Sequence, residues 1–170
     1  MKKVRLLATT LFYITRTAAI PYLLTALYCV ICFVLGTVQY TEGGERFIIH
    51  YPFTQKRYLL GDSTEFYYIF EMIAFIGLYG VFFWLLGTVF DAFRQPRLFT
   101  EKNVGRLKLF YTLNFIVPLP FLIGHLWYSY EVSLLISLTF LHFVIGIFAY
   151  FMAAIFEQGL NLQAEQDLYI

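Results

Sequence analysis

Charge is what this chain has least of. Only 14% of its 170 residues are Asp, Glu, Lys or Arg, against about 25% in an ordinary soluble domain. A surface facing water on every side cannot be built from so little, and the chain falls in the membrane class before any segment is read. The formal net charge is +1, so the total gives no support to direct nucleic-acid binding or an acidic substrate. Cysteine is scarce too: Cys29 and Cys32 lie inside one apolar run and imply no disulfide framework. Their CxxC spacing suits a redox pair only where a thiolate is stabilised and accessible. Near the centre of an apolar span they read as small hydrophobes. No Ser-His-Asp order, phosphate loop, zinc-protease motif or internal repeat occurs. The expectation is a protein that is not an enzyme.

What is abundant is apolar surface. Hydrophobic residues make up 60% of the chain, with 20 Phe and 14 Tyr, and the mean hydropathy is +0.69. Aromatic side chains in such numbers suit packing against lipid and anchoring at its interfaces. Four segments approach the ~20 residues that cross a bilayer core: about 17–38, 66–90, 107–127 and 132–156. None has Lys or Arg in its interior, and helices are the economical way for such segments to satisfy their backbone groups in lipid. The fold class is therefore an all-α membrane protein with four transmembrane helices in a single integral membrane domain. The start "MKKVRLLATTLFYITR" resembles a signal peptide, but Arg16 interrupts it and no small-x-small cleavage site follows. It reads as a retained arm, 1–16, that either extends the first helix or lies among the headgroups.

Lys and Arg set the orientation. The arm carries Lys2, Lys3, Arg5 and Arg16, and residues 94–108 carry Arg94, Arg97, Lys102, Arg106 and Lys108; Arg46, Lys56 and Arg57 lie on the other side, a split of nine to three. The positive-inside rule then places both termini, the 91–106 loop and the 157–170 tail in the cytoplasm. The loop 39–65 is outside. Within it "ERFIIHYPF" and "KRYLL" are rich in β-branched and aromatic residues, which suits a short β-hairpin with Pro52 confining the first run to an edge. "GDSTEF" reads as a helix start, with Asp62 or Ser63 as N-cap and Glu65 completing a capping box. The loop around "WYSYE" is so short that the third and fourth helices should pair antiparallel.

Titratable groups inside spans are costly in lipid and mark candidate functional positions. Glu71 lies about one and a half turns into the second span. His125 is near the outer end of the third, Glu131 caps the turn into the fourth, and His142 is near the middle of the fourth. Glu71, His125 and Glu131 would share a depth and form a polar cluster near the outer face; the plainer alternative is that their tips reach water or headgroups. Thr139, His142, Gly146, Ala149 and Ala153 share one helical face, as do Gly77, Gly80, Trp84, Gly87 and Asp91. Packing these two small-residue stripes together gives a simple expectation, with His142 hydrogen-bonded across the seam. A ligand-binding or proton-sensing His142 is the alternative. A bis-histidine haem is disfavoured, because His125 and His142 would differ in depth by roughly 10 Å. A metal site from Glu71, His125 and Glu131 has no motif behind it, and no cofactor is expected. Asn114, Pro118 and Pro120 mark a kink in the third helix.

The most polar run is "RQPRLFTEKNVGRLK", residues 94–108. Pro96 ends the second helix, Leu98 and Phe99 make an apolar anchor, and Thr100 suits the N-cap of a helix starting at Glu101. The tail "FEQGLNLQAEQDLYI" leaves the fourth span at about Glu157 and offers Glu165 and Asp167 to the basic loop. The plain reading is a loop that sets topology and a solvated helical tail.

These two segments carry a resemblance. Phe99-Thr100-Glu101-x-Asn103-x-x-Arg106-Leu107 resembles the "F-T-x-E-N-x-x-R-L" segment of the bacterial membrane family catalogued as domain of unknown function 2975, with Lys102 where that pattern prefers Glu. The ending Gly159-Leu160-x-Leu162-Gln163-x-Glu165-Gln166-Asp167-Leu168-Tyr169-Ile170 is similar to the family's "G-x-x-L-q-x-E-x-D-L-T-I" close, with Tyr169 for the usual Thr. The resemblance implies a multi-pass protein of the bacterial inner membrane, of a kind often encoded beside a small helix-turn-helix regulator. It suggests a sensor or anchor that holds such a DNA-binding protein in the cytoplasm, at a docking surface of Phe99, Thr100, Asn103, Arg106, Leu107, Glu165 and Asp167. The competing reading is a small transporter or ligand carrier using Glu71 and His142, which with four helices per chain would need a homo-oligomer.

Overall fold

A computed structural model describes residues 2–41, 43–128 and 132–167. The elements in order are helix α1 (Lys2–Val34), strands β1 (Gln39–Tyr40), β2 (Phe47–His50) and β3 (Arg57–Gly61), and helices α2 (Phe66–Arg94), α3 (Glu101–Ile116), α4 (Pro118–Tyr128) and α5 (Ser133–Asp167). Among the described residues four helical stretches are long and apolar enough to cross a bilayer: α1, α2, α3 together with α4, and α5. The arm 1–16 does not form a separate element. It extends the first helix, which runs unbroken for 33 residues through Pro21, roughly 50 Å at 1.5 Å per residue against a hydrocarbon core of about 30 Å. The tail likewise continues α5, which runs for 35 residues to Asp167, as the plain reading of a solvated helical tail beyond Glu157 has it. Residues 160–167 hold no Pro or Gly and several good helix formers, so nothing there stops the helix.

The chain forms two compact units, one of Thr15–Trp84 and the other of Met1–Ile14 with Leu85–Ile170. In the first, α1 and α2 approach closely where α2 has no side chain. A Cβ on Gly80 would lie 2.8 Å from the Leu23 side chain and 3.0 Å from its backbone nitrogen, and one on Gly77 would lie 3.4 Å from Ala26. Tyr22 packs its ring against Phe83 at 5.6 Å, and the Arg16 guanidinium sits 3.6 Å over the ring of Trp84. The stripe expected to face the last helix therefore faces α1 at Gly77, Gly80 and Trp84. Small residues mark a close approach without specifying the partner, which is why the sequence paired it wrongly.

A three-stranded antiparallel sheet in the order β1-β2-β3 completes this unit. The expected hairpin is β2–β3, and β1 adds an edge by pairing Gln39 with Ile48 and Tyr40 with Phe47. β2 is the central strand, not the edge that Pro52 suggested, because Pro52 lies in the turn beyond β2, where its missing N–H costs no ladder bond. Alternation sends Phe47 and Ile49 inward, into a core with Cys29, Cys32 and Val38 that Phe33, Ile69, Met72 and Ile73 surround. The two cysteines thus serve as small hydrophobes. Gly61 faces the Phe47 ring so closely that any Cβ would overlap it.

In the second unit α5 packs along α3. A Cβ on Gly146 would meet the Phe115 ring at 2.8 Å, and Tyr111 and Tyr150 pack edge to face at 5.5 Å. The stripe on α5 therefore lies against α3, not against α2 as the pairing of small residues suggested. The Asn114-Pro118 kink is a break between α3 and α4. Val117 keeps helical dihedrals and its N–H still reaches the Leu113 carbonyl at 3.0 Å. Pro118 and Pro120, with no N–H, leave the Asn114 and Ile116 carbonyls without their helical donors.

Candidate functional site

The second unit gathers most of the polar chemistry at the α2–α3 turn. Asp91, in the last turn of α2, is buried and takes two arginines. Arg94 Nε reaches Oδ1 at 2.5 Å and Arg106 Nη1 reaches Oδ2 at 2.9 Å. The Gln95 amide donates to the same carboxylate at 3.3 Å. One carboxylate against two guanidiniums leaves a surplus positive charge, and the Arg94 guanidinium also lies 4.0 Å over the Phe12 ring of α1, a favourable face for a cation.

The turn that follows is closed by its own side chains. Thr100 is the N-cap of α3, accepting the Asn103 N–H at 3.2 Å, as the sequence indicated. The Asn103 side-chain amide donates to the Leu98 carbonyl at 3.0 Å and its oxygen accepts from Arg106 at 3.2 Å. Asn103 and Leu107 are buried. Phe99 lies against the bare backbone of Gly159 on α5, where a Cβ would meet its ring at 2.6 Å, and it packs edge to face on Phe156 at 5.5 Å. Lys108 Nζ reaches Glu157 Oε1 at 2.8 Å. The acid of α5 that meets the basic segment is thus Glu157, whereas Glu165 is exposed further along the helix. Asp167 is the last residue of that helix.

The second feature is a polar seam between α3 and α5. Asn114 Nδ2 donates to the Phe110 carbonyl at 2.8 Å, which leaves its oxygen as the atom facing His142 Nδ1, also at 2.8 Å. Nδ1 is then the donor. The histidine is bonded across a seam, as expected, but to α3. Glu71 belongs to the unit of the sheet; it is buried and accepts the Tyr67 hydroxyl at 3.1 Å. His125 is half-buried on α4. Glu131 lies outside the described residues. Among those residues no group of three or more His, Cys, Asp or Glu is placed to hold a metal ion.

A family model described as "Protein of unknown function (DUF2975)" matches residues 49–170, well over half the chain. The chain belongs to that family. No curated protein and no solved structure matches it. The DUF2975 match covers both segments that carried the resemblance, and with the four apolar helices it makes this a multi-span membrane protein. The first segment has a physical reason in this DUF2975 chain: Thr100 caps, Asn103 closes the turn, Arg106 binds Asp91 and Leu107 fills the core. Sequence reasoning missed three partners, Asp91, Asn114 and Glu157. Asp91 was legible, being an acid three residues before Arg94 beside the densest run of cations. Asn114 was not, because the register between two apolar helices leaves no mark in either one.

Proposed function

We propose that this protein is a non-enzymatic anchor or sensor in the bacterial inner membrane, with both termini cytoplasmic, and that it holds a small helix-turn-helix regulator at its cytoplasmic face. The observation that carries this reading is the end of α5. From Asn161 to Gln166 every residue is exposed, and this stretch has no continuous apolar face. A short polar helix gains little stability by itself in water; one held out as the continuation of a packed span is a ready handle for a partner. Lys108–Glu157 and Phe99 on Gly159 fix its base to the clamped loop. Exposed Arg97, Glu101 and Lys102 flank that base, while Thr100, Asn103, Arg106 and Leu107 shape the surface from beneath. The nine-to-three distribution of Lys and Arg supports the orientation, and the family resemblance supports the class of partner.

Affinity capture from native membranes tests the reading. The full chain should bring down a small DNA-binding protein, and a chain ending at Leu160 or carrying Glu165→Lys should lose it while remaining folded. Identical captured proteins with and without the tail would overturn it.

Buried Glu71 favours a second reading, a small oligomeric carrier. That reading requires substrate uptake into liposomes that Glu71→Gln abolishes.

A further inference from the structure

The β2–β3 hairpin does not stand off the end of α1 but hangs back along it. Phe47, at the start of β2, packs on Phe33, whereas the His50 carbonyl at its end accepts the Tyr28 hydroxyl at 2.6 Å. At the start of β3 the Tyr58 hydroxyl is hydrogen-bonded to Thr25. The strand therefore runs antiparallel to the helix, and the hairpin tip, residues 51–57, lies level with Thr25–Tyr28. That is roughly 9–13 Å back from the helix end at Val34, at 1.5 Å per residue. Beyond that level α1 still presents apolar side chains outward, with Val30, Ile31 and Val34 all exposed. In a multi-span membrane protein such a face is covered by lipid, so a tip that hangs below it reaches the same lipid.

The tip is built for that position. Its turn is closed by hydrogen bonds from the Tyr51 N–H to the Lys56 carbonyl at 2.9 Å and from the Thr54 N–H to the Tyr51 carbonyl at 3.1 Å. At its centre Phe53 has φ 59°, a left-handed conformation uncommon for a bulky residue, and its side chain is wholly exposed. Tyr51, Lys56 and Arg57 are exposed beside it. An aromatic ring held outward among a tyrosine and two cations matches the layers of a bilayer interface, with a ring for the acyl boundary and ammonium and guanidinium groups for lipid phosphate.

We infer that the tip Tyr51–Arg57 is a membrane anchor that inserts Phe53 into the leaflet on its side and binds the phosphodiester of an anionic phospholipid through Lys56 and Arg57. The anchor fixes the sheet, and with it the outer ends of α1 and α2, to the lipid surface. It stands whether or not a regulator docks elsewhere on the chain.

Site-directed spin labelling of the full chain in bilayers tests this. Phe53→Cys and Glu45→Cys place labels on the two opposite turns of the sheet, with Cys29→Ala and Cys32→Ala removing the native thiols. In vesicles of phosphatidylcholine with 30% phosphatidylglycerol, a label at 53 should collide preferentially with oxygen and one at 45 with a water-soluble nickel chelate. Removing phosphatidylglycerol, or introducing Lys56→Gln with Arg57→Gln, should shift the label at 53 toward water by at least twofold in its collision ratio. A label at 53 as accessible to the nickel chelate as the one at 45 would overturn insertion. Insertion indifferent to both lipid charge and the Gln pair would overturn the phosphate contact. Because 45 and 53 are both exposed turn positions, a fold lost to the cysteine changes would appear equally at both labels. The native cysteines can be retained as a control, since both are buried.

Discussion

At the residue scale, the decisive side chains are those whose polar atoms have been given a partner within an apolar surrounding. Asp91 serves two arginines from different helices, so its loss leaves both guanidiniums without their anion. Removing one member of a buried ion pair costs about 3–5 kcal/mol, and less where water still reaches the group. Arg94 and Arg106 keep side-chain exposures of 29% and 22%, which places Asp91→Asn nearer to about 2 kcal/mol. Thermal unfolding in detergent should show that loss, whereas Glu101→Gln, on the exposed side of the same turn, should change little. The Asn114–His142 bond is a gentler case. Interhelical hydrogen bonds in membrane proteins average about 0.6 kcal/mol and reach about 1.7. Asn114→Leu and His142→Leu should each destabilise within that range, and the double variant by less than the sum of the two, because neither orphan then remains. Strict additivity in that cycle would show that the contact contributes nothing.

At the element scale, the helices are positioned by where side chains are missing. Gly80 sits against the Leu23 backbone, which cannot move aside, whereas the site beside Gly77 leaves ordinary contact distance to Ala26. Gly80→Ala should therefore destabilise by about 1–3 kcal/mol, as overpacking does, and Gly77→Ala by under 0.5 kcal/mol, as a near-neutral change does. A denaturation series on the two variants separates them, and equal effects would mean that α1 and α2 are not in this register. The four spans were legible because length and apolar content alone decide them, and the Thr100 cap because its chemistry is local. The hairpin showed in its alternation, but β1 has two residues and no pattern to read. Partner choice between the stripes was not legible, since the glycines of α2 and α5 look alike and only three-dimensional packing assigns one to α1 and the other to α3. The continuation of α5 matches the plain reading of a solvated helical tail, because residues 160–167 contain nothing that stops a helix.

At the scale of the whole molecule, the distribution of Lys and Arg is the sequence signal for orientation, and the folded ion pairs do not weaken it. Arg94, Arg106 and Lys108, three of the nine cations on that side, end on Asp91 and Glu157 in the folded chain. Topology is nevertheless decided as segments insert, when lysine and arginine count and nearby acids contribute little. Orientation should therefore follow the count of cations and survive loss of the pairs. A membrane-impermeant maleimide applied to intact cells should label Glu45→Cys, whereas Lys3→Cys and Glu165→Cys should react only after permeabilisation. Adding Asp91→Asn should leave that pattern unchanged while lowering stability. Labelling of Glu165→Cys in intact cells would place the polar end of α5 outside, and a cytoplasmic DNA-binding partner at that helix would then be impossible. Labelling of Lys3→Cys and Glu165→Cys under different conditions from each other would overturn the even number of crossings.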